Sequence, residues 1–248
     1  MKTIYILWIR QLKRYVRSKS RMIGSIAQPL LFLVSLSFGF GPIFQKAGNG
    51  NYLNFLVPGI IGMSIIFSAV FSGMEIIWDR QFGFLKETLV APVSRFNIML
   101  GRTLGGATMS VMQGLLVLVI SLFMGFRPTS WLLFPVLLLL MLLVALLFTA
   151  LGTMIASLLE DMQGFQLIVN FLIMPLFFLS GAIFPLQGLP KILSVISSLD
   201  PLAYGIDAFR GVLINISTFG MGTDIIVLSI ATLLFLGLGS YFFSKIQI

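Results

Sequence analysis

Long apolar stretches without charge, separated by shorter polar segments, dominate the chain. Residues 22–45, 47–74, 103–126, 128–159, 162–190 and 225–244 contain no Asp, Glu, Lys or Arg. Crossing a hydrocarbon core of roughly 30 Å takes about 20 helical residues, and each stretch meets that length. Backbone polar groups in hydrocarbon must bond internally, which runs rich in Leu, Ile, Phe, Gly and Met do as helices. The residue-by-residue alternation of a membrane barrel is missing. The pattern predicts an all-α membrane protein, one transmembrane domain over 1–248. Its six spans are expected at about 22–41, 55–77, 99–124, 132–158, 165–183 and 224–243.

Three polar regions interrupt this pattern. In the first, Ile4, Trp8, Leu12, Tyr15 and Val16 fall on one side of a helical wheel and Arg10, Lys13, Arg14 and Arg17 on the other. Such a helix, expected over 3–20, suits the membrane interface, apolar face down and basic face toward lipid phosphates or a cytoplasmic partner. The second region, 78–97, is longer than two spans need. Phe82, Leu85 and Leu89 recur at helical spacing, Lys86 and Glu87 mark a polar side, Pro92 stops the helix, and Ser94 is placed to cap the third span. The third region, 185–223, is too apolar for a solvated loop and too broken by Pro185, Gly188, Pro190 and Pro201 for one span. Asp200 and Pro201 read as an N-cap and first helical position, opening a helix that carries Tyr204, Asp207 and Arg210. Asp207 and Arg210 can pair on one face. The expectation is a re-entrant outer hairpin packed on the bundle.

Composition agrees: 58% of residues are hydrophobic and 10% charged, against roughly 25% charged in soluble domains. The net charge of +8 points to topology rather than nucleic acid, because seven of the sixteen basic residues precede the first span. With the N-terminus inside, twelve basic residues face the cytoplasm and four, Lys46, Arg127, Lys191 and Arg210, face out. That bias predicts a multi-pass protein of the cytoplasmic membrane with both termini cytoplasmic. The basic segment reads as retained rather than as a signal peptide, its apolar run being too long.

With no Cys and no His, disulfides, thiolate or imidazole metal sites and a histidine base are excluded. No Gly-rich phosphate loop ending in Lys-Ser or Lys-Thr occurs. None of the eight acidic residues sits mid-span, which weakens an ion-coupled carrier. Glu75 is within reach of pairing with Arg102, though interfacial anchoring is the better reading. Gly101 with Gly105, and Gly152 with Ala156, allow close helix contact within the chain.

Two motifs carry a family resemblance. FGFLKETLVAPVSR at 82–95 resembles the first cytoplasmic loop of permease subunits of type 2 ABC exporters, nearest the daunorubicin-resistance and nodulation-factor group. FLIMPLFFLSGAIFP at 171–185, with DPLAYGIDAFR at 200–210, resembles the fifth span and outer hairpin of the same family. One departure is Asp200, where Asn is commoner, and both residues cap a helix.

The resemblance implies the permease half of an exporter of drugs, lipids or lipid-linked saccharides. It would not be an enzyme and would hold no cofactor, since ATP and Mg sit on a partner. Two ATP-binding cassette ATPase subunits, a second permease (a homodimer in preference to a heterodimer) and membrane lipids would be its partners, with no nucleic acid. A coupling helix at about 82–91 would contact the ATPase through Phe82, Gly83, Phe84, Leu85, Lys86, Glu87 and Leu89, with Pro92 and Arg95 setting its angle. Arg10, Arg14, Arg17, Glu160 and Asp161 would form a secondary contact. Pro185, Pro190, Asp200, Pro201, Tyr204, Asp207 and Arg210 would build an outer gate. A stand-alone carrier or channel, and a scaffold without transport, are the alternatives.

Overall fold

The computed structural model describes residues 2–46, 51–90, 92–186 and 190–246. Among them are eleven α-helices and no strand. Six stretches are long and apolar enough to cross a membrane: Met22–Lys46, Tyr52–Gln81, Arg95–Phe123, Phe134–Leu158, Met162–Leu179 and Met221–Ser244. The protein is therefore a multi-pass, all-α membrane protein.

Helix α1 (Lys2–Arg17) ends at Ser18, and α2 (Lys19–Lys46) begins directly after it. Next come α3 (Tyr52–Ser72) and α4 (Met74–Gln81), which continue one span across a break at Gly73. The short α5 (Phe84–Val90) precedes α6 (Arg95–Phe123), α7 (Phe134–Leu158) and α8 (Met162–Leu179). Then α9 (Lys191–Leu199) and α10 (Pro201–Ile214) meet at a bend of 85° before α11 (Met221–Ser244). Side-chain caps start four of these helices: Asn51 accepts from Leu53 N, Ser94 from Asn97 N, Asp161 from Gly164 N and Asp200 from Leu202 N.

The middle of the bundle is α3, α6 and α7, with α11 laid along α7, α1 along α6, and α10 wedged among α3, α7 and α11. Lipid tails are as apolar as leucine, so close fit rather than escape from water holds these helices together. Backbones touch where α3 gives way to α4. A Cβ on Gly73 would collide with the Gly152 backbone, and one on Gly152 with the Val70 carbonyl. By contrast, α2 and α8 carry long exposed faces, with Leu31, Phe38, Leu167 and Phe171 all open.

The boundaries sharpen the sequence reading in three places. The helix at the N-terminus stops at Arg17 rather than reaching 20, because Ser18 turns the chain into α2. The second span runs on to Gln81, so the following loop begins later than residue 78. Within that loop the helix covers Phe84–Val90, and residue 91 lies outside the described residues.

Candidate functional site

Three helix ends, those of α1, α4 and α6, bring charge together beside α5. Asp79 on α4 is buried, and its Oδ2 accepts from Arg102 Nη2 of α6 at 2.6 Å. Arg14 Nη1 of α1 stands 3.4 Å from Asp79 Oδ1 and 4.0 Å from Glu75 Oε2, while Arg10 Nη2 is 3.8 Å from Asp79 Oδ2. One aspartate therefore ties three helices. Either buried charge alone would carry a large desolvation cost; together the three guanidiniums and two carboxylates nearly balance. Sequence reasoning weighed Glu75 as the partner of Arg102 and missed Asp79, which the extension of α4 by one turn carries into reach.

Helix α1 sits on this cluster by packing on protein. Leu7, Gln11 and Tyr15 are its buried positions, and the first two meet α6 where α6 has no side chains. A Cβ on Gly101 would come within 2.9 Å of Leu7 Cβ, and one on Gly105 within 2.6 Å of Gln11 Cβ. The small pair at Gly101 and Gly105 is thus an α1 seat. Trp8 Nε1 donates to Thr108 Oγ1 at 3.0 Å, and Gln113 Nε2 donates to the Tyr15 hydroxyl at 2.9 Å. Of the face expected to lie in lipid, Trp8 and Tyr15 therefore turn onto α6 instead. Val16, placed on that face by the helical wheel, is exposed. Arg10 and Arg14 turn toward Asp79, while Arg17 is open.

The segment after α4 turns at Gly83, whose φ of +80° is a conformation that a side chain resists. Leu85 is 2% exposed and Leu89 packs against the core, so these two hold α5 to the bundle. Phe82, Phe84, Lys86, Glu87 and Val90 form the opposite, exposed side. The seven positions grouped by sequence as one contact surface divide into an anchoring pair and an outward face. Pro92 is exposed just beyond. Arg95 does not reach α5. It donates to the Ser244 and Ile246 carbonyls, capping the end of α11. Arg80 Nη2 donates to Glu160 Oε1 at 2.8 Å, fastening α4 to the α7–α8 turn, and Asp161 is spent on capping α8. Arg80 was not among the predicted site residues.

At the opposite end, the expected gate residues serve mainly as fasteners. Asp207 and Arg210 do not form the anticipated mutual pair. Asp207 accepts from Ser217 Oγ at 2.9 Å and from Thr218 N and Phe219 N at 2.8 Å, closing the turn that leads into α11. Arg210 Nη2 donates to the carbonyls of Gly181 at 2.7 Å and Ala182 at 3.3 Å, and its guanidinium lies 3.8 Å over the Phe55 ring. Helix α10 competes for neither: the loop carbonyls after α8 lacked donors, and the turn after α10 lacked acceptors. Tyr204 donates to the Ser198 carbonyl at 2.8 Å and lies against Phe219. Asp200 caps α10 with Pro201 in its first turn. Pro185 and Pro190 are exposed at the rim, Pro190 heading α9.

Among the described residues, no three acidic side chains gather as a metal site requires. What this architecture offers is mechanical, a chain of fastened helix ends running from α5 through Asp79 to α1 and α6.

Comparison with known proteins finds matches along most of the chain. The family model described as ABC-2 type transporter matches residues 2–214. The ycf38 protein of Cyanophora paradoxa, a transport permease by name, is 32% identical over 216 residues, covering 84% of this chain and 72% of its own. Nodulation protein J of Rhizobium leguminosarum bv. trifolii is 28% identical over 213 residues, covering 85% of this chain and 78% of its own. Inner membrane transport permease YadH of Escherichia coli K12 is 29% identical over 210 residues, covering 82% and 80%.

Proposed function

Because the chain belongs to the ABC-2 type transporter family, we propose that this permease is the membrane half of an ATP-driven exporter of an amphipathic substrate. Two ATPase subunits dock on its cytoplasmic face, and a second copy completes the pathway. In this reading the α5 end and both termini are cytoplasmic, and α9 with α10 forms a re-entrant hairpin in the outer leaflet. The observation that carries it is the outward face of α5. Phe82, Phe84 and Val90 stand 65%, 51% and 81% exposed beside Lys86 and Glu87, while Leu85 pins the helix from behind. A helix held rigidly by one face, and presenting apolar and charged groups on the other, suits a protein partner better than lipid.

The fasteners supply the mechanism. A push on α5 passes through the Gly83 turn to α4, whose Asp79 moves with Arg102 of α6 and Arg14 of α1. The Arg80–Glu160 bond carries the same displacement to α7 and α8. The spans then shift as packed bodies, the usual way that helical interfaces convert a local event into a large motion. Arg17, on the open side of α1, is left free for a secondary ATPase contact.

The test contrasts the two faces of α5. Phe84→Asp is expected to abolish ATPase co-purification and stimulated export while the thermal midpoint of the permease stays within a few degrees of the parent. Leu85→Asp is expected to lower that midpoint strongly, because it buries a charge. Normal export by the Phe84 variant would refute the docking role, and export in liposomes without any ATPase would favour a stand-alone carrier.

A further inference from the structure

A cleft between α2 and the α3–α6 pair holds polar groups at a depth where hydrocarbon would leave them unpaid. Gln28 lies seven residues past Arg21 and Gln113 eleven past Arg102, which at helical rise places them roughly 10 and 16 Å beyond those charges. Ser68 lies seven residues before Glu75, at a depth of roughly 10 Å. All three line one cavity of about 380 Å³, together with Tyr15, Ser25 and Phe67.

Gln113 is 2% exposed, and its amide hydrogens go to the Tyr15 hydroxyl and to Ser25 Oγ. No described residue donates to its carbonyl oxygen, and none bonds the side chains of Gln28 or Ser68. An unmatched amide costs several kcal/mol in an apolar medium by order of magnitude. Two glutamines and a serine gathered on one cleft therefore point to an occupant that bonds them.

The lining decides the chemistry of that occupant. It contains no charged residue, and an ionised group at this depth calls for a counter-charge. The Gln113 carbonyl needs a donor, while Gln28 and Ser68 both donate and accept. A phosphate supplies only acceptors and a quaternary ammonium supplies neither, whereas a hydroxyl does both. Phe67, Phe71 and Met109 form the apolar remainder of the wall. Through Phe71 the cleft adjoins a second cavity of about 350 Å³, lined also by Trp78 and Arg14 near the α1 end. Beyond the polar groups, Leu31 and Phe38 on α2 are 66% and 76% exposed, a surface for an alkyl chain.

We propose that this cleft binds the uncharged, hydroxyl-bearing head of an amphiphile, with its tail laid along α2. That the bound molecule is cargo rests on the exporter reading; the binding itself does not.

The experiment uses the full chain alone in lipid nanodiscs, with Trp8→Phe, Trp78→Phe and Trp131→Phe removing the native indoles and Leu31→Trp setting a fluorescent reporter where the tail would lie. Alkyl glucosides with brominated tails are titrated against it, beside sulfate and trimethylammonium heads on the same tail. Saturable quenching by the glucoside, with only linear partitioning by the two ions, is expected. Gln28→Leu with Ser68→Ala should raise half-saturation about thirtyfold, from two hydrogen bonds of roughly 1 kcal/mol each. These two side chains hold nothing else in place, so the bundle survives their loss. Equal saturation by all three heads, or an unchanged titration in the variant, overturns the proposal. So does disulfide formation between two copies carrying Gln28→Cys in this cysteine-free chain, which would make the cleft a subunit interface. No ATPase takes part, so failure of the exporter reading is seen separately, as absent co-purification.

Discussion

The two ends of the bundle each bury an arginine, and they neutralise it in different ways. Arg102, at the α5 end, meets a carboxylate that two further arginines share. Arg210, at the α10 end, meets two or three backbone carbonyls and an aromatic face. The first is a junction between side chains on separate helices, which can open and re-form when helices shift. The second clamps a loop whose acceptors cannot move independently of the chain. This difference suits one end to transmitting motion and the other to resisting it.

The largest effect is expected from removing the shared aspartate. Asp79→Leu leaves the Arg102 guanidinium buried without its carboxylate, a change that costs about 3–5 kcal/mol for a buried pair. Adding Arg102→Leu should recover more than half of the loss, because the buried guanidinium then goes with its carboxylate and the exposed Arg10 and Arg14 are left to water. Thermal melting of the single and double variants in detergent checks this. If the double variant is no more stable than the single, Asp79 is not the centre of the junction.

At the other end no second mutation can rescue the first. Arg210→Leu strands the Gly181 and Ala182 carbonyls, at about 3 kcal/mol for the two together. Arg210→Lys should recover only part, since an ammonium cannot both span the carbonyls and lie flat over Phe55. A lysine variant that melts with the parent would show that charge alone, rather than the planar fork, holds the clamp.

The two ends also differ in how far the sequence reveals them. The spans were legible because hydrocarbon forbids charge over a full crossing, but their ends moved by several residues, to Lys46 from an expected 41 and to Arg95 from an expected 99. Asp200–Pro201 and Ser94 announced their helix starts through local chemistry alone. The partners were not legible. Asp79 reaches Arg102 only because α4 continues past the Gly73 break, and that depends on the close backbone contact with Gly152. The basic wheel of α1 looked like a face for outside partners because the facing carboxylates come from a helix more than fifty residues away. Leu85 and Leu89 showed the spacing of an amphipathic helix correctly, but periodicity does not say which side the rest of the protein occupies. The Asp207 and Arg210 spacing permits a pair; the unmet backbone groups around each proved the stronger claim.

The smallest effect concerns helix caps, where each end has an aspartate in the same local role. Asp161 heads α8 in an exposed turn, and Asp200 heads α10 in a buried one, 3% exposed. Replacing either by alanine removes one acceptor for a helical N–H, at about 1 kcal/mol. Replacement by asparagine separates them. Exposed Asp161 loses a favourable charge near a helix N-terminus, a few tenths of a kcal/mol in typical surface settings. Asp200 keeps its bond to Leu202 N through one oxygen, while its Oδ2 has no partner among the described residues. Exchanging that oxygen for an uncharged amide relieves a buried charge, so Asp200→Asn is expected to melt no lower than the parent, and Asp161→Asn slightly lower. A clear loss at Asp200→Asn would mean that its second oxygen is held by something beyond this chain, which would turn the α10 end from a clamp into a contact.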